Sequence, residues 1–210
     1  MKPIDVSAVV GAVTREVKTT LRGDRPAHVV VATRTFDTGL EDLWDAITTA
    51  DRIARWLMPI EGELRLGGRY RLRGNAAGTI TTCEPPRHLA ATWEFGGDVT
   101  WIDARLEPDG ARTRLVLEHT AHVDPERWTE FGPGAVGVGW DLGLLGLYLH
   151  VTTGGAATPE EGMAWAAGDE GKRYQQLASD DWCRASIAAG TDAAAARAAA
   201  DRTIAAYTGA

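Results

Sequence analysis

Two histidines in one short segment have side chains that could serve catalysis or metal binding. His119 and His122 lie three positions apart in EHTAH (118–122). In a β-strand, side chains alternate between two faces, so these rings point to opposite sides and cannot share a metal ion unless the strand ends between them. His119 alone remains a candidate general base or ligand contact, because imidazole titrates near neutral pH. The simpler alternative is a buried, hydrogen-bonded histidine.

Recognisable catalytic and cofactor motifs are absent from the sequence. It contains no readable Ser-His-Asp or Cys-His arrangement and no HExxH helix, and GNAAG (74–78) lacks the GxGxxG phosphate-binding pattern. Cys83 and Cys183 have the spacing of neither a disulfide framework nor a zinc site, and we expect both to be buried thiols. The sequence therefore predicts no catalytic residue set, no metal and no cofactor.

The charge of the chain argues against two classes of partner. Its 210 residues carry a formal net charge of −7, with a pI near 5.2. Binding to nucleic acid or to anionic membranes depends on clustered Lys and Arg, so neither is an expected partner. The N-terminal residues MKPIDVSAVVGAV lack the features of a signal peptide, and the apolar run LGLLGLYL (142–149) is too short to cross a bilayer. We therefore expect a cytoplasmic protein without a membrane span.

The elements that must position these residues begin with a helix and a strand. Apolar residues recur at three- and four-residue steps over 3–22, which is the spacing of one helix face. The β-branched stretch HVVVATRTF (28–36) then predicts a strand.

Two consecutive short helices are predicted next. Thr38 and Glu41 have the spacing of a capping box, which begins the first helix. The second helix ends before Pro59, because proline disfavours helical geometry in the preceding residue. Trp44 and Trp56, one on each helix, are expected to point inward.

A β-meander is predicted between Gly67 and Ala121. The pair Gly67-Gly68 is expected to close a two-residue hairpin, since such turns need positive φ angles that glycine adopts without steric cost. Turn residues then separate four further strands, predicted at 77–84, 88–95, 99–107 and 112–121.

Alternation of side chains gives each of these strands an inward and an outward face. The outward residues are mostly charged and are expected to meet water or to pair across strands. Trp101 falls on this outward face, which is unexpected for so large an apolar ring. The inward residues are Leu89, Ala91, Trp93, Phe95, Ile102, Ala104, Leu106, Leu115, Leu117 and His119.

A glycine-rich helix and a helical tail follow a loop at 124–134. The stretch VGVGWDLGLLGLYLHV (136–151) repeats apolar residues at helical spacing and predicts one long helix. Each glycine inside it costs about 1 kcal/mol relative to alanine, so packing rather than propensity must hold this helix. Three more helical stretches are predicted in the tail, near 159–167, 170–189 and 192–207.

The order of these elements resembles the helix-grip fold of the START-like superfamily. Four segments carry the resemblance: RTFDTGLEDLWDAITTADRIARWLMP, GGRYRLRGNAAG, EPPRHLAATWEF and TRLVLEHTAH. They look like the SRPBCC-domain proteins named after the activator of the heat-shock protein 90 ATPase. The resemblance implies an α+β fold in which a curved antiparallel sheet wraps around a long C-terminal helix. We expect this domain at 28–155, with helical extensions at 1–27 and 156–210.

The resemblance also implies a cavity between the curved sheet and the long helix. An apolar pocket with a few polar groups is the usual form of a small-molecule site. The glycines of the long helix either allow close packing or leave room for a ligand. The residues expected to line the cavity are Trp56, Met58, Tyr70, Leu72, Trp93, Phe95, Leu117, His119, Trp140 and Leu144.

Three functions fit this prediction, and we favour a carrier module that binds an apolar small molecule in the cavity. The first alternative is an enzyme of the cyclase or hydrolase type, with His119 or Tyr70 as the proton-transfer group. The second alternative is a co-chaperone-like protein-interaction domain. A homodimer through the C-terminal helices is also open, since Ile204 and Tyr207 could form a face, although packing within the chain explains them equally well.

Overall fold

The computed structural model describes residues 4–155 and 158–209. Within them the chain forms eight strands and eight helices. The strands are β1 Val13–Arg22, β2 Arg25–Phe36, β3 Ile60–Gly62, β4 Arg69–Leu72, β5 Ala77–Glu84, β6 His88–Phe95, β7 Asp98–Asp109 and β8 Arg112–Ala121. The helices are α1 Val6–Gly11, α2 Leu40–Thr48, α3 Ala50–Ile53, α4 Pro125–Phe131, α5 Gly134–Thr153, α6 Pro159–Ala167, α7 Asp169–Ala188 and α8 Ala193–Thr208.

The strands form one curved, open antiparallel sheet in the order β1-β2-β8-β7-β6-β5-β4-β3. Together with the long helix α5 this is the α+β helix-grip fold, so the predicted fold class is confirmed. The predicted tail helices are also present, as α6, α7 and α8.

The chain forms two compact units. The helical unit comprises Met1–Ala32, His122–Leu142 and Glu160–Ala210, and the sheet unit comprises Thr33–Ala121 and Gly143–Pro159. Strand β2 and helix α5 contribute residues to both units. The division predicted at residues 27 and 155 stays a prediction.

The N-terminal segment is mostly strand, so the helix predicted over 3–22 is wrong. Helix α1 has only six residues, and the Asp5 carboxylate caps it by accepting a hydrogen bond from the Ala8 amide at 3.1 Å. Strand β1 follows at once, with Val13 and Val17 on its more buried face. A step of four residues returns a side chain to the same face of a strand as well as of a helix, so the apolar spacing could not separate the two. The β-branched composition of the segment was the better signal.

Three of the meander strands, β5, β6 and β8, have the predicted bounds, and β7 is longer than predicted at both ends. The two-residue hairpin at Gly67-Gly68 is wrong, because β3 ends at Gly62 and residues 63–68 form a longer connection to β4. Both glycines are still required there. Gly67 has a φ of +76°, and a Cβ on Gly68 would lie 2.1 Å from the Glu63 carbonyl oxygen.

Helix α2 confirms the prediction after residue 38, but its start differs in detail. Its N-cap residue is Gly39, and the hydroxyl of Thr38 donates a hydrogen bond to Asp42 at 2.7 Å instead of capping the helix. The predicted capping box is therefore wrong. Helix α3 is confirmed but shorter than predicted, since it ends at Ile53.

Helix α4 lies where a loop was predicted. Its N-cap carboxylate, that of Asp124, accepts from the amides of Glu126 and Arg127 at 2.9 and 3.3 Å. Pro125 occupies the first turn, where its missing N–H costs nothing. Asp-Pro-Glu is a helix-start signal, and the glycines that follow it obscured the helix in the sequence.

Helix α5 is longer than the apolar run that indicated it. Among the described residues it is the one helix long and apolar enough to cross a membrane by length and composition alone, and half of that stretch is buried within the protein. The run 142–149 is therefore only part of a longer apolar helix. Its contacts are nevertheless those of a core helix, because a Cβ on Gly137 would lie 2.2 Å from the Trp182 ring and Asp141 is fully buried.

Candidate functional site

The inward face of strands β6, β7 and β8 is continuous, as the alternation predicts. The register places Trp93 opposite Thr100 and Ile102 opposite His119, so these four side chains share one face of the sheet unit. Leu117 lies on the same face, opposite Ala104, and is buried.

His119 is a buried polar group on this apolar face. Its exposed fraction is 6%, and its Nε2 lies 2.8 Å from the Thr100 hydroxyl. The Trp93 ring lies beside it, with 6.2 Å between the ring centroids and a tilt of 59°. Burial disfavours the charged imidazolium and lowers the pKa of His119 to about 4. His119 is therefore a neutral hydrogen-bonding group at pH 7.

Tyr70 is the second polar candidate, and it is engaged by the backbone. Its hydroxyl donates a hydrogen bond to the Thr92 carbonyl oxygen at 2.7 Å. Burial raises the pKa of Tyr70, so the phenol stays protonated. Gly78 makes room for the ring, since a Cβ on that glycine would lie 2.8 Å from it.

Five of the predicted site residues belong to one apolar cluster. Tyr70 and Leu72 are buried in it, while Trp56, Met58 and Trp93 pack against it and are only half-buried. The Trp56 indole is fixed by donating a hydrogen bond to the Ala46 carbonyl oxygen at 2.9 Å. These residues come from the connection after α3, from β4 and from β6, and the sheet unit brings them together.

The remaining candidates are placed differently. Phe95 is 59% exposed, so the expectation that it is enclosed is wrong. It is the last residue of β6, directly before the turn formed by Gly96 and Gly97. Leu144 is buried in the part of α5 that belongs to the sheet unit, and Trp140 is half-buried in the part that belongs to the helical unit.

The outward face carries cross-strand ion pairs, as predicted. Arg69 of β4 bonds Glu94 of β6 at 2.8 Å, and Arg114 of β8 lies 3.6 Å from Glu107, its register partner on β7. Trp101 lies among these charges, but it is half-buried rather than exposed.

The glycines of α5 serve close packing at the positions where their surroundings are known. A Cβ on Gly146 would lie 2.3 Å from the Trp56 carbonyl oxygen, within the sheet unit. In the helical unit, a Cβ on Gly134 would lie 3.2 Å from Thr203. At these positions the glycines therefore allow close packing of neighbouring residues, which is the first of the two interpretations given above.

A buried ion-pair network in the helical unit escaped the sequence prediction. The guanidinium of Arg15 binds both oxygens of Asp141, at 2.8 and 3.1 Å, and also Asp181 at 2.7 Å. Trp182 donates its indole N–H to Asp141 at 2.7 Å, and the Tyr174 hydroxyl donates to the Asp141 carbonyl oxygen at 2.8 Å. The one available signal was a single carboxylate in an otherwise apolar helix.

Two further cations hold the C-terminal half of α5 in the sheet unit. Arg52 donates from Nε to His150 Nε2 at 2.8 Å and also binds Asp42 and Asp45. Arg34 is buried, with its guanidinium carbon 4.2 Å from the centroid of the Tyr148 ring. A cation over an aromatic face gains electrostatic attraction from the ring. These contacts are structural in character.

A shallow depression of about 350 Å³ lies in the helical unit, between α1 and the first turn of α7. Its lining combines apolar residues such as Ile4 and Val6 with the charged residues Asp5, Asp169 and Arg173, so it differs from the predicted site in carrying charges. The Glu170 carboxylate in it already accepts hydrogen bonds from the Ile4 amide and the Trp165 indole, at 3.2 and 2.6 Å. In the described part of the chain, no group of three or more His, Cys, Asp or Glu residues could hold a metal ion.

Comparison with known proteins places the chain in a family. The sequence pattern of the family described as "Activator of Hsp90 ATPase homolog 1-like protein" matches residues 37–147. The chain belongs to this family. The match runs from the residues before α2 into α5, so it contains most of the sheet unit and all ten predicted site residues.

Solved structures resemble this member of the family over most of its length. The crystal structure of CalU16 from Micromonospora echinospora is 29% identical, covers 83% of this chain and 98% of that chain, and has a TM-score of 0.67. The solution NMR structure of CalU16 gives 29% identity, 85% and 97% coverage and a TM-score of 0.71. The solution structure of the Aha1 dimer from Colwellia psychrerythraea is 18% identical, covers 60% of this chain and 97% of that chain, and has a TM-score of 0.50. At this identity the likeness shows only that the fold is shared. Comparison with curated protein sequences gave no match.

Proposed function

We propose that this member of the family binds an apolar small molecule against the inward face of its sheet unit. Family membership supports a ligand-binding or co-chaperone-like module. The observation that carries the finer proposal is that Trp56, Met58 and Trp93 remain half-buried although they pack against a buried apolar cluster. Covering apolar surface of this kind gains about 25 cal/mol per Å² removed from water.

The polar groups on this face indicate which ligands fit. His119 and Thr100 form a neutral hydrogen-bonded pair beside Trp93, because burial holds the pKa of His119 near 4. A neutral imidazole does not neutralise an anion. The site therefore favours an uncharged ligand with one hydrogen-bonding group and an aromatic or aliphatic body.

The test uses an uncharged fluorescent probe, N-phenyl-1-naphthylamine, titrated into the purified protein. We expect saturable binding with quenching of tryptophan emission. Leu144→Trp should reduce probe affinity at least tenfold by filling space next to the face, and Trp93→Ala should lower both affinity and quenching. Trp101→Ala is the matched control, because that ring lies on the opposite face of the sheet. If Leu144→Trp and Trp93→Ala fold and bind the probe as the wild type does, the proposal fails.

The geometry favours binding over catalysis at this face. An acid–base catalyst works best with a pKa near the working pH. The pKa of His119 lies near 4. The Tyr70 hydroxyl has a raised pKa and donates a hydrogen bond to the Thr92 carbonyl oxygen. For the enzyme alternative to hold, His119→Gln would have to lower a measured turnover at least tenfold.

The second candidate function is a protein-interaction role, which the family match favours. The measurement is ATP hydrolysis by a purified Hsp90-type chaperone with and without this protein. A saturable rise in the ATPase rate supports the role. An unchanged rate, together with no crosslink between the two proteins, rejects it.

A further inference from the structure

The first strand of the sheet has an edge without a neighbouring strand. Strand β1 stands at one end of the strand order, so no other strand of residues 4–155 and 158–209 pairs with its outer edge. The strand at the opposite end, β3, has only three residues, whereas β1 has ten. A long edge strand presents a row of backbone N–H and C=O groups that can pair with a strand of another chain.

The accessible part of this edge is the C-terminal half of β1. Residues 18–22 are all exposed, whereas Val13 is buried and Arg15 binds Asp181 of α7 at 2.7 Å. Leu21 is 70% exposed, which is the largest exposed fraction among the exposed large apolar side chains of the described residues. Leu21 is the last residue but one of β1, and an exposed apolar side chain on an open edge gains free energy when a partner covers it.

We propose that two copies of this chain pair through β1, as antiparallel strands about a two-fold axis at Thr19. In this register Val17 lies opposite Leu21 of the partner copy, and Lys18 lies opposite Thr20. Glu16 lies opposite Arg22 of the partner copy. Each of these pairs occurs twice, so the sequence of the edge is complementary to itself.

Charge and packing together disfavour the neighbouring symmetric registers with axes at residues 16, 17 and 18. An axis at Lys18 would set two lysines opposite each other, and an axis at Glu16 would do the same with two glutamates. An axis at Val17 would require the segment from Val13 to Arg15, which packs against α7 in its own chain. The Thr19 axis uses residues 16–22 alone.

The intrachain pair on the outward side of β1 is compatible with this arrangement. Glu16 lies 3.3 Å from Lys18 of its own chain, and both side chains are about half exposed. Arg22 of the partner copy would join them on the same face, because residues an even number apart share a face of a strand. Lys18 also disfavours the addition of an unrelated apolar strand, so the edge discriminates in favour of a second copy.

The C-terminal helices, which the sequence raised as a dimer face, use their apolar side within the helical unit. Ala196 and Ala200 are buried in a cluster with Cys183. The Tyr207 hydroxyl donates to the Ala135 carbonyl oxygen at 3.0 Å. Part of this face is therefore covered by the same chain, while the Tyr207 side chain is 36% exposed.

A crosslinking experiment tests the register. Thr19→Cys places a thiol opposite its own symmetry copy, at a Cα separation that a disulfide can span. Thr20→Cys, one residue further on the same strand, is the matched control, because it lies opposite Lys18 rather than itself. Under mild oxidation we expect a covalent dimer from Thr19→Cys and none above the wild-type level from Thr20→Cys.

Sedimentation analysis tests the dimer without crosslinking. Leu21→Lys should raise the dimer dissociation constant at least tenfold, which corresponds to about 1.4 kcal/mol. Glu16→Arg and Arg22→Glu should each weaken the dimer, and the double variant should restore it. Circular dichroism checks that each variant is folded. A monomeric wild type at the highest soluble concentration, or a dimer that Leu21→Lys leaves unchanged, overturns the proposal.

Discussion

His119 shows how the strands around a residue determine its chemistry. A free imidazole titrates near neutral pH, but the burial of His119 lowers its pKa to about 4. The sequence identified the residue and its face, because alternation in β8 is regular. It could not give the pKa, which depends on how completely β6 and β7 exclude water from the ring.

The first prediction concerns stability at acid pH. Between pH 6.5 and about 4 the unfolded chain binds a proton at His119 that the folded chain does not, so the free energy of unfolding falls as the pH decreases through this range. The loss reaches about 3 kcal/mol near pH 4 and is absent at neutral pH. Urea denaturation of His119→Gln should show a smaller decrease between neutral pH and pH 4.5 than the wild type. Equal slopes for the two proteins would contradict the assignment.

The second prediction concerns the ion pair of Arg15 with Asp141. Both side chains are buried, at 2% and 0% exposure, so Asp141→Ala leaves a guanidinium without its main partner inside the protein. We expect a loss of about 3–5 kcal/mol in the free energy of unfolding. The control is Glu107→Ala, which removes an exposed pair with Arg114 and should cost less than about 1 kcal/mol. Chemical denaturation measures both values, and similar losses would argue against a special role for the buried pair.

The pairing of Arg15 with Asp141 could not be predicted from the two residues alone. Arg15 and Asp141 are far apart in the sequence and lie in elements of different type. Their pairing depends on the placement of β1 beside α5, whereas the sequence predicts a helix for the N-terminal segment. Because the segment that contains Arg15 is predicted as a helix, its ion pair with Asp141 could not be predicted.

At the scale of elements, strands β5 to β8 and the tail helices were predictable because turn residues and periodicity mark their bounds. β1 was not, since a four-residue apolar step fits helix and strand alike. Helix α4 was missed because glycines close to it resemble a loop. Helix α5 was predicted, but the residues that pack against its glycines were not. A glycine indicates that another group lies close to the helix without indicating which group it is.

The third prediction separates two roles of helical glycine. Gly137→Ala adds a Cβ that would lie 2.2 Å from the buried Trp182 ring, so we expect a loss of about 1–3 kcal/mol from overpacking despite better helix propensity. Gly162→Ala in α6 meets no atom within 4 Å and should stabilise the protein by up to about 1 kcal/mol. Thermal unfolding compares the two variants. A stabilising effect of Gly137→Ala would show that the helix does not pack closely against that ring.

At the scale of the whole molecule, the resemblance predicted the fold and the family correctly. It did not extend to the segments outside the shared pattern. The helical unit is assembled from three segments that are distant in sequence, and two of them lie outside the family match. Composition gave no signal for this assembly. Its core depends on contacts such as that of Tyr174 with Asp141.

The fourth prediction is that a chain ending at residue 155 does not fold as the full chain does. It lacks α7, so Arg15 loses Asp181 and Asp141 loses the indole of Trp182. We expect a lower unfolding temperature and a broad transition by circular dichroism, with aggregation on heating. A chain ending at Ala189 retains α7 and should lose less. A sharp transition at the full-length temperature for the shorter chain would show that the sheet unit is independent of the tail.

The contact between Arg52 and His150 has a spectroscopic consequence. A guanidinium N–H can only donate, so His150 Nε2, 2.8 Å away, carries a lone pair, while Nδ1 carries the proton that it donates to the Gly155 carbonyl oxygen at 2.8 Å. The ring is thus the uncommon neutral δ tautomer. In a nitrogen-15 spectrum its Nε2 resonance should stand at the far-downfield position of a pyridine-type nitrogen, and Arg52→Lys should move it, giving a site-specific reporter at the C-terminal end of the long helix.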